Sequence, residues 1–216
     1  MSATTTDIGP ILPPGNAILH KSPAGGVPPA EWHIAEVRCG MERACRDKLQ
    51  RTGFESYVAS RVETRVYASR NRRRVERVVI PAKVFVRLTE AEHIVAHEAC
   101  APALYKFMTD RARQPRDAEP LSSAADRFRR AGHPFAVVPE EQMQRLRFML
   151  GQAERPVEFV SRPLSLGDRV RVIRGPLAGL EGGFVRQGRA TYIAVLLDAL
   201  GCTLTEIPET DIEPLG

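Results

Sequence analysis

Gly167-Asp168-Arg169-Val170-Arg171-Val172-Ile173-Arg174-Gly175-Pro176-Leu177-Ala178-Gly179-Leu180-Glu181-Gly182 is the stretch that decides the fold. Val170-Arg171-Val172-Ile173 is a short strand-like run. Gly175-Pro176 forces a turn behind it. Gly179 and Gly182 supply backbone freedom where a tight barrel must bend. Further glycines at 183, 188 and 201 punctuate the C-terminal segment, which includes a second apolar run at 190–197. Dense glycine between short strands predicts a small closed β-barrel over residues 164–216. A phosphate-cradling loop is a poor reading, because a Walker loop ends in Gly-Lys-Ser/Thr with a helix behind it. Here Gly182-Gly183-Phe184 leads into a strand.

Upstream of this unit, residues 152–163 hold Pro156 and Pro163 and read as a linker. Residues 31–151 read as an α+β domain, an antiparallel sheet flanked by helices. The segment 32–37 alternates like a half-buried strand. Met41, Ala44, Cys45 and Leu49 form the stripe of an amphipathic helix, which Gly53 ends. Two strands are expected at 57–68 and 74–80 around the polar turn Ser69-Arg70-Asn71-Arg72, and a third at 83–88. Thr89 and Glu92 have the spacing of a capping box, with Ile94, Val95 and Ala99 on the helix behind it. Pro102 ends that helix, and a short strand is expected at 104–108. Residues 109–134 are arginine-rich, aperiodic and read as a surface loop. Pro139 opens a last helix, with Glu140 and Glu141 at its positive end, a core face of Met143, Leu146 and Leu150, and a stop at Gly151. The α+β domain and an all-β module after it are the fold expected from the residues.

Residues 1–30 are rich in proline and glycine and read as a disordered arm. They have neither the charge cluster nor the apolar stretch of a signal peptide, and no apolar run reaches the roughly 20 residues of a spanning helix. A cytoplasmic protein without membrane association is expected. The formal net charge of +5 suits work near nucleic acid or an acidic surface. Cys39, Cys45, Cys100 and Cys202 form no Cys-x-x-Cys pair, so they read as small buried hydrophobes in a reducing compartment. No nucleophile with a partner base stands out, so no enzyme and no cofactor is expected.

The string from Gly167 to Gly182 resembles the KOW motif of NusG proteins and of some ribosomal proteins. The earlier half resembles the NusG N-terminal domain in 32–37, in the helix with Glu42 and Leu49, in Ile80-Pro81-Ala82-Lys83-Val84-Phe85-Val86 and in Val138-Pro139-Glu140-Glu141-Gln142-Met143. Arg72-Arg73-Arg74-Val75-Glu76, the run 142–150 and Leu200-Gly201-Cys202 lean toward the specialised UpxY-like paralogues. The resemblance implies a transcription elongation or antitermination factor. Its N-terminal domain would grip the clamp helices of RNA polymerase with an apolar patch. Its KOW domain would recruit a ribosomal protein or a termination factor. Action on a limited set of operons, such as surface polysaccharide genes, would follow from the subgroup, and a monomer is expected. An RNA-binding protein that uses its KOW barrel at the ribosome is the alternative.

Ile80, Pro81 and Lys83 are the candidates for the polymerase patch, with ordinary strand-end packing as the other reading. The family usually carries an aromatic-Pro-Gly-Tyr run there, so two aromatic contacts would be lost, and aromatics dominate interface hot spots. His93 and His97, one helical turn apart, are candidate exposed contacts to the polymerase across its cleft. Together with Cys100 they also invite a zinc reading, but a fourth ligand is lacking and no metal is expected. Arg70, Arg72, Arg73 and Arg74 are candidates for upstream or non-template DNA, since arginine pairs with phosphate and stacks on bases. The rival reading is a solvated hairpin. Leu177 and Leu180 are candidates for the KOW partner if they stay exposed, or barrel packing if they do not. Trp32, the only tryptophan, reads as a core anchor.

Overall fold

The computed structural model describes residues 29–66, 72–110, 134–161 and 166–215. Its first sheet is built around β1 (Glu31–Val37). β5 (Lys83–Leu88) lies antiparallel on one side of it, and β2 (Glu55–Tyr57) lies outside β5. β6 (Leu104–Phe107) and the two-residue β7 (Val137–Val138) pair with the other side of β1, both antiparallel. The alternation of β1 sends Trp32 and Ile34 to one face and Ala35 and Val37 to the other, and both faces are buried. β5 splits the same way, with Phe85 on the first face and Val84, Val86 and Leu88 on the second.

Helices explain the double burial. α1 (Glu42–Arg51) puts Cys45 and Leu49 on the second face, and α2 (His93–Cys100) adds Ala96 and Cys100. Gly53, at φ +98°, carries the chain out of α1. The capping box is formed, with Glu92 accepting the Thr89 N–H at 2.7 Å; it closes a single 3-10 turn that runs into α2. On the first face lies α3 (Glu140–Gln152), burying Met143, Leu146, Met149 and Leu150. It continues through Gly151, where a stop was expected, because glycine there meets no requirement for positive φ. β3 (Ser60–Val66) and β4 (Arg72–Val78) form a separate two-stranded ribbon.

Beyond α3 the chain makes a second antiparallel sheet of six strands. β8 (Val157–Val160), β9 (Arg169–Val172), β10 (Glu181–Gln187), β11 (Ala190–Leu197), β12 (Gly201–Glu206) and β13 (Ile212–Pro214) lie in the order β13-β9-β10-β11-β12-β8. Two expectations change here. The expected linker 152–163 contains β8, which lines up on β12 with Thr203 opposite Phe159. The expected closed barrel does not close among the described residues: no ladder joins β13 to β8. β13 pairs over three residues only and contains Pro214, which has no N–H for a further neighbour.

One hydrophobic cluster runs from Trp32, Ile34 and Phe85 through the buried face of α3 to Val170, Ile193 and Leu197. The layers are therefore α1/α2, first sheet, α3, second sheet. The gain from this shared burial is roughly 25 cal/mol per Å² of apolar surface.

Candidate functional site

The turn between β4 and β5 is built from Ile80-Pro81-Ala82-Lys83. Pro81 sets φ for the first turn position, and Ala82 comes next at φ +58°, a region that favours glycine. Two contacts hold it there. Glu42, buried at the start of α1, accepts the Ala82 N–H at 2.8 Å. The Ala82 carbonyl accepts the Val37 N–H at 3.0 Å. Pro81 is exposed, and Lys83 is half-buried with its ammonium 3.6 Å from Glu36. Ile80 is fully buried in the core shared with α3, so its side chain is not a contact surface. For Ile80 the strand-end reading is the one the packing supports, because its neighbours Val79 and Ala59 enclose it in the same cluster.

The β3–β4 ribbon carries the exposed arginines. Its register sets Arg61 opposite Arg77, Thr64 opposite Arg74, Arg65 opposite Arg73 and Val66 opposite Arg72. Near the base the charges are matched: Glu63 lies 3.8 Å from Arg61 and 3.5 Å from Arg77, and Glu76 lies 3.0 Å from Arg43 of α1. Arg61 also donates to the carbonyls of Ala153 and Arg155, tying the ribbon to the end of α3. Farther out, Arg72, Arg73 and Arg74 are exposed. Arg70 lies outside the described residues.

His93 is not on the surface. It has no accessible area; its ring stacks on Phe135 with centroids 3.8 Å apart and meets Phe107 and His33 edge-on, each at 4.5 Å. Its Nδ1 lies 2.9 Å from the Glu90 carbonyl. The expected exposed contact is corrected because position 93 opens α2 on the side that faces the sheet, where the aromatic pocket is. Burial pushes the His93 imidazole down to about 4. Burial, with His93 adding to it, pushes His33 down to about 3. His97, four residues on, is half-buried. The Cys100 thiol turns to the Cys45 carbonyl at 3.3 Å, away from any shared ligand geometry with these rings. Among the described residues no group of three metal-ligating side chains converges.

The KOW-like string spans β9, a turn and the start of β10. Gly175 and Gly179 take φ of +78° and +90°. Gly182 is required for a different reason than bending: a Cβ there would lie 2.3 Å from the Ala194 carbonyl oxygen. Leu177 and Leu180 pack into the shared core at 7% and 2% exposure, which corrects their reading as exposed contacts. Leu180 and Ala178 instead line one side of a cleft of about 340 Å³ whose other wall is Phe148 and Arg145 of α3.

Four charged residues escaped the sequence reading as site residues: Glu181, Arg145, Arg147 and Glu42. Glu181 gathers Arg171 at 2.6 Å, Arg169 at 3.4 Å and, from α3, Arg145 at 3.5 Å. The hydrogen bond from Arg171 holds the Glu181 carboxyl below its usual range. Arg147 lies over the rings of Trp32, at 4.6 Å, and Tyr57, at 5.0 Å, and reaches Glu55 at 3.3 Å. Glu42 is the buried carboxylate of the 80–83 turn. Arg145 also has a local partner, Glu141 one helical turn back at 3.7 Å, but the contacts that bring these residues to the site join positions ten or more apart and leave no spacing signal. Cys39 is exposed, against the expectation of burial; Cys45, Cys100 and Cys202 are buried and free.

No protein-family profile matches the chain, and no curated protein matches it. Among solved structures the chain is similar to one of domain interaction in Thermotoga maritima NusG, at 17% identity and a TM-score of 0.40, covering 87% of this chain and 98% of that one. It is also similar to the MjSpt4:Spt5 complex in conformation B, at 10% identity and a TM-score of 0.28, covering 85% and 96%. Conformation A of that complex gives 10% identity, a TM-score of 0.25 and coverage of 85% and 97%.

Proposed function

We propose that this chain is a NusG-like transcription elongation factor that works in the cytoplasm by binding rather than by chemistry. The observation that carries the reading is the KOW-like string from Gly167 to Gly182, placed on β9, its turn and β10 behind an N-terminal half with the NusG-like stretches in order. In this reading the N-terminal half grips the clamp helices of RNA polymerase at the surface around exposed Pro81 and half-buried Lys83. Ile80 and His93 are buried in the interior and do not touch the partner. The ribbon arginines Arg72, Arg73 and Arg74 face upstream or non-template DNA. The second sheet recruits a further partner, a ribosomal protein or a termination factor, and the action falls on a limited set of operons.

The test is retention of purified RNA polymerase core by the immobilised full chain, compared with Lys83→Glu and with Arg72→Glu/Arg74→Glu. Retention that drops several-fold on Lys83→Glu is the expected result. If neither the full chain nor a variant retains polymerase while structured RNA is retained, the chain is a KOW-type RNA-binding protein and the elongation reading fails.

A further inference from the structure

The four cysteines form no motif in the sequence, yet the fold brings two of them together. Cys45 sits in α1 and Cys100 is the last residue of α2, fifty-five positions on. The two helices pack side by side on the same face of the first sheet, and neither thiol has accessible area. The Cys100 thiol donates to the Cys45 carbonyl at 3.3 Å.

We propose that Cys45 and Cys100 are a redox-modifiable dithiol, which a small peroxide converts into an internal disulfide clasping α1 to α2. The two thiols differ in acidity: their interaction and burial push Cys45 up, while the interaction holds Cys100 down against burial, with Lys48 of α1 helping to hold Cys100 down. Cys100 is then the attacking sulfur, since the thiolate is the nucleophile. Its thiolate attacks one peroxide oxygen and the O–O bond breaks, leaving a sulfenic acid and hydroxide, which takes a proton to become water. The Cys45 sulfur attacks the sulfenic sulfur, the S–S bond forms, the S–O bond breaks, and the departing hydroxide leaves as a second water with the Cys45 proton. Two thiols lose two electrons and two protons, and one peroxide becomes two waters. Full burial selects a small uncharged oxidant over a bulky disulfide. The other two cysteines are placed differently: Cys39 is exposed, and Cys202 lies in β12 of the second sheet, its thiol pushed up by burial.

The experiment treats the full chain, and a Cys39→Ser/Cys202→Ser variant, with hydrogen peroxide, then unfolds each in an alkylating agent and maps the peptides by mass. The expected product is a linked pair of the Cys45 and Cys100 peptides, two hydrogens lighter than the reduced pair, unalkylated and restored by dithiothreitol. It forms in both proteins, so the unsubstituted chain answers the question if the double variant does not fold. Recovery of both cysteines as alkylated peptides overturns the proposal. So does Cys100 carried on to sulfinic acid beside an alkylated Cys45.

Discussion

His33 and His93 are held neutral inside the protein, pushed down to about 3 and about 4. An unfolded histidine titrates near 6.5, so below that pH the unfolded chain takes up protons that the folded chain refuses. Stability is intact above pH 6.5 and falls as pH drops from there toward 4. By pH 5 each histidine removes about 2 kcal/mol, about 4 kcal/mol for the pair. Urea unfolding at pH 7 and pH 5 measures this, and a flat profile contradicts the buried pair. At Gly182 the constraint is one of space between backbones. Gly182→Ala drives a Cβ into the Ala194 carbonyl and should cost about 2–3 kcal/mol, seen as a lower urea midpoint. Gly182 was legible in the sequence as part of a string, but its reason was not, since proximity of β10 to the backbone of β11 is a tertiary fact. His93 and Ile80 show the same limit: spacing located their elements, while the choice of face depended on neighbours such as Phe135, far away in the chain.

Among elements, the β3–β4 ribbon divides its charge unevenly. Glu63 and Glu76 serve the base, and exposed Arg72, Arg73 and Arg74 lie toward the other end. If Arg72 and Arg74 each meet a phosphate, Arg72→Ala and Arg74→Ala each lower affinity and reduce the log–log salt slope by about one unit. Filter binding of labelled duplex DNA across a salt series reads both; slopes equal to that of the unsubstituted chain remove the ribbon from the interface. β1, β5 and the capping box at Thr89 were readable because alternation and capping are local signals. β2 and β8 were not. β2 is too short to show a period, and β8, flanked by prolines, becomes a strand only because β12 offers it a partner.

For the whole molecule, the expected tether between two units is replaced by a shared core. α3 lies between the sheets; Arg145 reaches Glu181, and Gln142 accepts the Asp198 N–H at 3.1 Å. Calorimetry should therefore show one endotherm whose calorimetric and van't Hoff enthalpies agree. Two resolved transitions would mean that the sheets fold separately. The glycine pattern made the six-stranded sheet legible as a β-rich module, and the prolines at 156 and 163 suggested a boundary, but burial across that boundary has no sequence period.

Trp32 gives the shared core an optical readout. It is the sole indole in the chain, 2% exposed, with its N–H donated to Glu140 at 2.8 Å in the first turn of α3 and Arg147 over its ring. Ultraviolet emission excited at the indole band therefore comes from one place, the seam between the first sheet and α3. When α3 leaves that seam the ring meets water and its emission shifts to longer wavelength, so the colour of a single residue reports whether the helix is docked.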